Sequence, residues 1–188
     1  MKMMSYKTNE KMAINDELVS LIHPSLTHSI KFFLDSPELN TLHTLLRHNV
    51  GDNCIIPNHI ERLSVPINVR WLDMPCIGGI KRLEPNSVGW MFLDFMGHLY
   101  GNKSTYIYPK KDIEYAFKNK VFKNNALFAI TLSRRSINSL KDKREWGVTC
   151  TYIYLIARKY GYETTFLTGR FYKKIKNMYF IAFRVMKK

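Results

Sequence analysis

Strands alternating with helices along the 188-residue chain predict an α/β protein, with a mostly parallel sheet, helices on both faces and a C-terminal antiparallel hairpin. Three observations carry this reading. Short apolar runs, each ending at a polar residue, recur from Ile30 onward. Capped or amphipathic helical stretches separate most of them. The last two runs lie too close together for a crossover helix and must pair antiparallel. At 46% hydrophobic and 23% charged residues, the chain can bury a sizeable core, which excludes wholesale disorder.

Residues 1–28 read as an N-terminal extension: 1–15 is polar and mobile, and 16–22 suits one short helix stopped near Pro24. Residues 29–188 make one domain. The run from Ile30 to Leu34 is a strand ending at Asp35. Ser36 then caps a helix with Pro37 at its first position, and Leu39, Leu42, Leu45 and Leu46 recur at helical spacing. Residues 54–56 form a second strand ending at Pro57-Asn58, followed by a short helix over 59–63. Residues 69–72 form a third, ending at Asp73, and 75–85, with Gly78 and Gly79, reads as loop. The fourth and most apolar strand, 88–93, ends at Asp94. Pro109 opens a helix through 120, and a fifth strand, 126–132, ends at Ser133-Arg134-Arg135. A long helix over 146–160 is closed by Gly161. Strands 162–167 and 178–183, joined by a basic connection, complete the sheet.

Lysine and arginine number 29 against 15 acidic residues, a net charge of +14. A field of that sign concentrates polyanions, above all nucleic acid phosphates, RNA or DNA. The cations cluster in the second half, at Lys110-Lys111, Lys118, Lys120, Arg134-Arg135, 141–144 and 170–176. The stretch Arg170-Phe171-Tyr172-Lys173-Lys174-Ile175-Lys176 interleaves aromatics with cations, which suits phosphate contact plus base stacking. Arg134, Arg135, Arg170, Lys173, Lys174 and Lys176 are therefore the candidate nucleic-acid-binding residues. Cys54, Cys76 and Cys150 are odd in number and widely spaced, which gives no disulfide framework and suits a reducing, cytoplasmic setting. No apolar run is long enough to span a membrane. His23 and His28, like His43 and His48, stand five apart rather than the four of a helical zinc pair, so no metal site is expected.

In an open α/β sheet, ligands bind beyond the carboxyl ends of the strands near the point where strand order reverses. Four successive strands end at Asp35, Asn58, Asp73 and Asp94. This order of strands, the closing hairpin and the polar ends together resemble the class I S-adenosylmethionine-dependent methyltransferases, a Rossmann-like family. The resemblance covers residues 30–188. It implies S-adenosylmethionine as cofactor, with Asp35 near its methionine part, Asn58 at the ribose and Asp73 at the adenine amine. It also implies that Asp94 faces the substrate as the catalytic residue. The sequence departs from the family in its first turn, Asp35-Ser36-Pro37-Glu38-Leu39-Asn40-Thr41, which holds no glycine. Asn58 stands where a carboxylate is usual.

Methyl transfer to nucleic acid is the function this resemblance implies. A catalytically inactive binding or interaction module stays open, as does an adenosylmethionine-using enzyme of another reaction type. Asp94-Phe95 sits where enzymes that methylate amino groups of DNA carry an acid or amide and an aromatic, without their prolines. A cap 2′-O-methyltransferase pattern of Lys, Asp, Lys and Glu finds Lys31, Asp94 and Glu163 but arginines in place of the second lysine. Arginine cannot deprotonate to serve as a base. Pro75-Cys76 is similar to the nucleophile motif of cytosine C5 enzymes but follows the third strand rather than the fourth.

Overall fold

The computed structural model describes residues 9–58, 64–95, 97–100, 108–133, 139–173 and 177–188. The chain runs α1 (Asn9–Ser20), a 3-10 turn at Pro24–Leu26, β1 (Ile30–Phe33), α2 (Asn40–Arg47), β2 (Cys54–Pro57) and β3 (Arg70–Leu72). It continues through α3 (Cys76–Ile80), β4 (Val88–Asp94), α4 (Pro109–Lys118), β5 (Phe122–Ser133), α5 (Ser139–Lys159), β6 (Tyr162–Lys173) and β7 (Asn177–Lys187).

The seven strands form one sheet in the order β3-β2-β1-β4-β5-β7-β6. β1 pairs parallel with β2 and β4, β2 with β3, and β4 with β5. β7 inserts antiparallel between β5 and β6. The expected parallel sheet and terminal hairpin are both present. The chain steps outward from β1 to β3 and then returns to β4, so strand order reverses between β1 and β4. Asp35 and Asp94 follow or end the two strands that flank this switch point.

Side-chain alternation splits the core in two. Phe33, Trp90, Phe92 and Leu127 face α1 and α2, which contribute Ile14, Leu18, Leu42 and Leu45. Phe32, Met91, Phe128 and Ile181 face the opposite side, where Ile80 of α3, Ile113 and Phe117 of α4 and Ile153 of α5 cover them. Pro109 opens α4 as its spacing predicts, and Gly161, at φ 85, ends α5 in the left-handed region. At Gly169 in β6 a Cβ would stand 2.6 Å from the Trp146 ring and 2.7 Å from the Phe180 carbonyl. Only glycine lets Trp146 lie on the strand there.

Several expectations fail locally. The stretch 1–15, read as polar and mobile, supplies the first half of α1, which starts at Asn9, ahead of the short helix expected over 16–22, and buries Ile14, Leu18 and Val19 against the sheet. The helix after β1 does not start at Pro37 but at Asn40, because Leu39 takes a left-handed conformation (φ 50) and turns the chain there. The expected loop after β3 holds α3, with Gly79 packed tightly against Phe32 and Pro57. β5, β6 and β7 each extend beyond the runs read from sequence. Arg170 to Lys173 therefore belong to strand β6, not to a connection. The expected helix over 59–63 lies outside the described residues.

Candidate active site

Asp35 closes β1 and anchors the turn that follows. Its carboxylate accepts the backbone N–H of Ser36 through one oxygen and those of Thr41 and Leu42, both at 3.0 Å, through the other. Two of the amides that a helix N-terminus leaves unpaired are thus satisfied by an acid from the preceding strand end. Burial pushes the Asp35 carboxyl up to about 7, and the Asp94 charge adds to that rise. The Leu42 and Ser36 amides and Lys11 oppose it.

Asp94, at the end of β4, pairs with Lys11 of α1 at 2.5 Å, with the two side chains 10% and 14% exposed. The Asp94 carboxylate holds the Lys11 ammonium above its usual range against the cost of burial, with smaller support from Asp35 and Glu38. α1 therefore delivers a cation into an acidic crevice at the switch point. Burial, and after it the nearby Asp94 charge, keeps the hydroxyl of Tyr172, near the end of β6, protonated far above the ordinary range. That hydroxyl is in hydrogen-bond contact with Thr131, the β5 residue in register with Asp94.

The turn between β1 and α2 carries polar atoms that nothing among the described residues satisfies. Ser36 Oγ, Asn40 Nδ2 and Thr41 Oγ1 are buried without a hydrogen-bond partner, as is the Asn15 amide of α1. Asn40 is 5% exposed and Thr41 1%. Buried orphans are rare and costly unless a ligand or water completes them.

Asn58 joins this group: its Nδ2 donates to the Asp35 carbonyl at 3.4 Å, and its own carbonyl accepts the Trp71 indole N–H. Asp73 stands apart, exposed after β3. The structure thus brings Asp35, Asn58 and Asp94 together and leaves Asp73 at the rim.

No family model and no curated protein matches the sequence. Among solved structures, Trm1 from Pyrococcus horikoshii in complex with S-adenosyl-L-methionine superimposes with a TM-score of 0.58 at 11% identity, covering 96% of this chain and 56% of that one. TYW2 from P. horikoshii, in complex with MeSAdo, gives 0.56 at 12% identity, covering 92% and 62%. Spermidine synthase from Thermotoga maritima gives 0.55 at 12% identity, covering 93% and 59%. The chain spans 56–62% of the length of these proteins. The fold is that of the class I S-adenosylmethionine-dependent methyltransferases.

Within that fold the remaining sequence candidates sort clearly. Lys31 is fully buried in β1, bonded to Asp52 and to the Thr27 carbonyl, and points away from the crevice. Glu163 opens β6 and pairs with Lys188. β6 runs in the same direction as β5, so Glu163 lies at the amino edge of the sheet, opposite Asp94. Lys31 and Glu163 therefore do not assemble with Asp94. Arg170 donates to Glu17 at 2.7 Å and lies over the Phe180 ring. The Lys173 side chain, Lys174, Lys176, Arg134 and Arg135 lie outside the described residues.

Cys76 is bonded to Asp112 of α4, a buried carboxyl that burial pushes up to about 7. Burial and the neighbouring acid push the thiol well up, which leaves it inert as a nucleophile. Lys11 and Asp112 are the two residues that sequence reading missed. The capping-like position of Asp112 in the first turn of α4 was the only local signal for either. Among the described residues no cluster could hold a metal ion, and no helix is long and apolar enough to cross a membrane.

Proposed function

We propose that the protein is an S-adenosylmethionine-dependent methyltransferase acting on nucleic acid. The observation that carries the first half is the acidic, cation-holding crevice at the switch point, lined by buried polar atoms that have no partner. The donor set fits the cofactor. Asp35 and Asp94 favour a positively charged group, and Ser36, Asn40 and Thr41 offer unspent hydrogen-bonding capacity to an amino-acid moiety. Asn58 lies beside Asp35 for the ribose, and exposed Asp73 can accept from the adenine amine. When bound, S-adenosylmethionine supplies a methyl group activated by its sulfonium.

The chain's own part is alignment and proton handling. Asp94 ends β4 beside the crevice and accepts a hydrogen bond or proton from the acceptor group, a role typically worth about 10²–10⁴-fold in rate. Buried Phe95, next to it, gives an apolar wall that excludes water. The nucleic-acid half rests on the net charge of +14.

A second reading, a catalytically inactive nucleic-acid-binding domain, is favoured by two features. Asp35 already occupies the first amides of α2, and Lys11 already answers Asp94.

Calorimetry with S-adenosylmethionine and S-adenosylhomocysteine separates the readings. The proposal expects micromolar binding that weakens in Asp73→Ala, together with methyl transfer that is lost in Asp94→Asn without loss of fold. No heat with either ligand would leave the inactive domain. Full transfer in Asp94→Asn would remove Asp94 from the chemistry.

A further inference from the structure

Charge is distributed unevenly between the two faces of the sheet. On the α1–α2 side several cations are matched by acids, Arg47 by Asp16, Arg170 by Glu17 and Lys31 by Asp52, while Arg184 donates to the Leu21 and Asn125 carbonyls. On the α3–α5 side, among the described residues, only Lys159 has a carboxylate partner, Glu114. Four other lysines there, Lys81, Lys110, Lys111 and Lys118, lie over tyrosine rings instead. Lys81 and Lys118 stand 5.0 and 5.8 Å from the Tyr115 centroid. Lys110 stands 5.5 Å from Tyr100 and 5.1 Å from Tyr152, and Lys111 4.6 Å from Tyr108. Lys110, Lys111 and Lys118 are exposed. This face therefore carries the unneutralised positive charge, interleaved with aromatic rings.

The same face holds a cavity of about 290 Å³ between the chain that follows β4 and the first half of α5. Its walls include His98, Tyr100, Arg144 and Tyr179, with one carboxylate, Glu145, beside Arg144. Tyr100 is 60% exposed at the opening, and Arg144 is exposed. A volume near the lower end of ligand pockets suits one small planar group. Leu99 and Tyr100 in its wall follow Asp94, the last residue of β4, by five and six positions in the chain.

We infer that the α3–α5 face is a track for single-stranded nucleic acid, and that this cavity receives one unstacked base. Lys81, just past α3, and the lysines of α4 meet successive phosphates. The tyrosine rings offer stacking surfaces, which are tolerant of sequence because every base has a π-face. Arg144 meets the phosphate of the inserted nucleotide. A duplex fits less well, since its bases are already stacked and flipping one costs a few kcal/mol. The inference rests on the nucleic-acid half of the proposed function. It locates the contact away from the β6–β7 hairpin, where Arg170 is held by Glu17 and Phe180.

The test is fluorescence anisotropy of a short labelled single-stranded RNA or DNA on the full chain across a salt series. Removing three phosphate contacts with Lys110→Ala, Lys111→Ala and Lys118→Ala together should flatten the log–log salt slope by about 2. Tyr100→Ala should weaken binding at least about fivefold at unchanged slope, and Tyr100→Phe should restore it. Arg170→Ala should change neither. An unchanged slope in the triple variant, a preference for duplex, or equal binding to anionic vesicles would overturn the track. Calorimetric binding of S-adenosylhomocysteine, measured on the same preparation, keeps failure of the track distinct from failure of the cofactor reading.

Discussion

Lys11→Met removes the charge that faces Asp94 across 2.5 Å. At an effective dielectric of about 20, a pair at that separation attracts by about 7 kcal/mol. Desolvation of two largely buried ions cancels much of this, so the net worth of the pair is small. The single substitution costs more than that net worth. It strands a carboxylate that is 10% exposed beside a second buried acid, Asp35. Breaking one side of a buried pair costs about 3–5 kcal/mol. In a chain of this length each kcal/mol moves the melting midpoint by about 2–4 °C, so Lys11→Met should melt about 10 °C below the parent. Asp94→Asn should cost less, because Lys11 keeps Asp35 and Glu38 within electrostatic reach. The double variant leaves no unmatched charge at β4 and should melt above Lys11→Met. Thermal and urea unfolding of the four proteins at pH 7 gives the coupling energy. A coupling of about 2 kcal/mol or more is expected. Simple additivity of the two single changes would refute the pairing and its role in holding α1 on the crevice.

Two further outcomes follow from the same geometry. Because the Lys11 ammonium repels a sulfonium but not a thioether, Lys11→Met should favour S-adenosylmethionine over S-adenosylhomocysteine at least about fivefold more than the parent does, the equivalent of about 1 kcal/mol. Measured as a ratio within one protein, this is insensitive to lost stability, and an unchanged ratio would detach Lys11 from the ligand. Asp112 titrates near 7 in the folded chain, above its ordinary carboxyl range, so its neutral form stabilises the fold fully below about pH 4, and that contribution is lost as pH rises through about 7. Urea unfolding of the parent relative to Asp112→Asn should show the parent losing about 3 kcal/mol between pH 5 and pH 8. Asp35 titrates in the same window in both proteins and cancels in the difference. A pH-independent difference would mean that Asp112 stays charged.

The sheet was readable because its signals are short-range. An apolar run that ends abruptly at Asp35, Asp73 or Asp94 marks a strand end within a few residues, and the closeness of the last two runs forces an antiparallel pair. The α1 helix was only partly readable: the sequence suggests a short helix over 16–22 and gives no sign of its start at Asn9. Ile14, Leu18 and Val19 are sparse in a polar sequence, and what stabilises them is packing in the same core as Trp90 and Phe92, far along the chain. The start of α2 misled for a related reason. Ser36-Pro37 is a sound local cap, but Asp35 reaches past it to the amides of Thr41 and Leu42 and moves the helix start to Asn40. The Lys11–Asp94 and Cys76–Asp112 contacts join residues with no common motif, so only the fold could reveal them. The net charge was legible as a number but not as a location. Arg170, read as part of a phosphate-binding run, pairs with Glu17 of α1, a contact that no local pattern announces.

The glycine-poor turn also bears on which ligand the crevice can take. A glycine-rich turn lets helix N-terminal amides meet an anion directly, which is how nucleotide phosphates are held in related α/β folds. Here the equivalent amides, those of Thr41 and Leu42, are spent on the Asp35 carboxylate, so the helix terminus presents a neutralised and partly negative surface instead. Asp94 and Glu38 add further negative charge around the same point, and the cation found there is the chain's own Lys11. A phosphate entering this crevice would meet carboxylates on both sides of the switch point, whereas a sulfonium or an α-amino group would meet its complement. The lysines proposed to meet a polyanion lie elsewhere, over the tyrosine rings of the α3–α5 face. Opposite signs on separate surfaces are what a transferase needs if its cofactor is cationic and its acceptor is a polyanion, because each ligand is then steered away from the other's site.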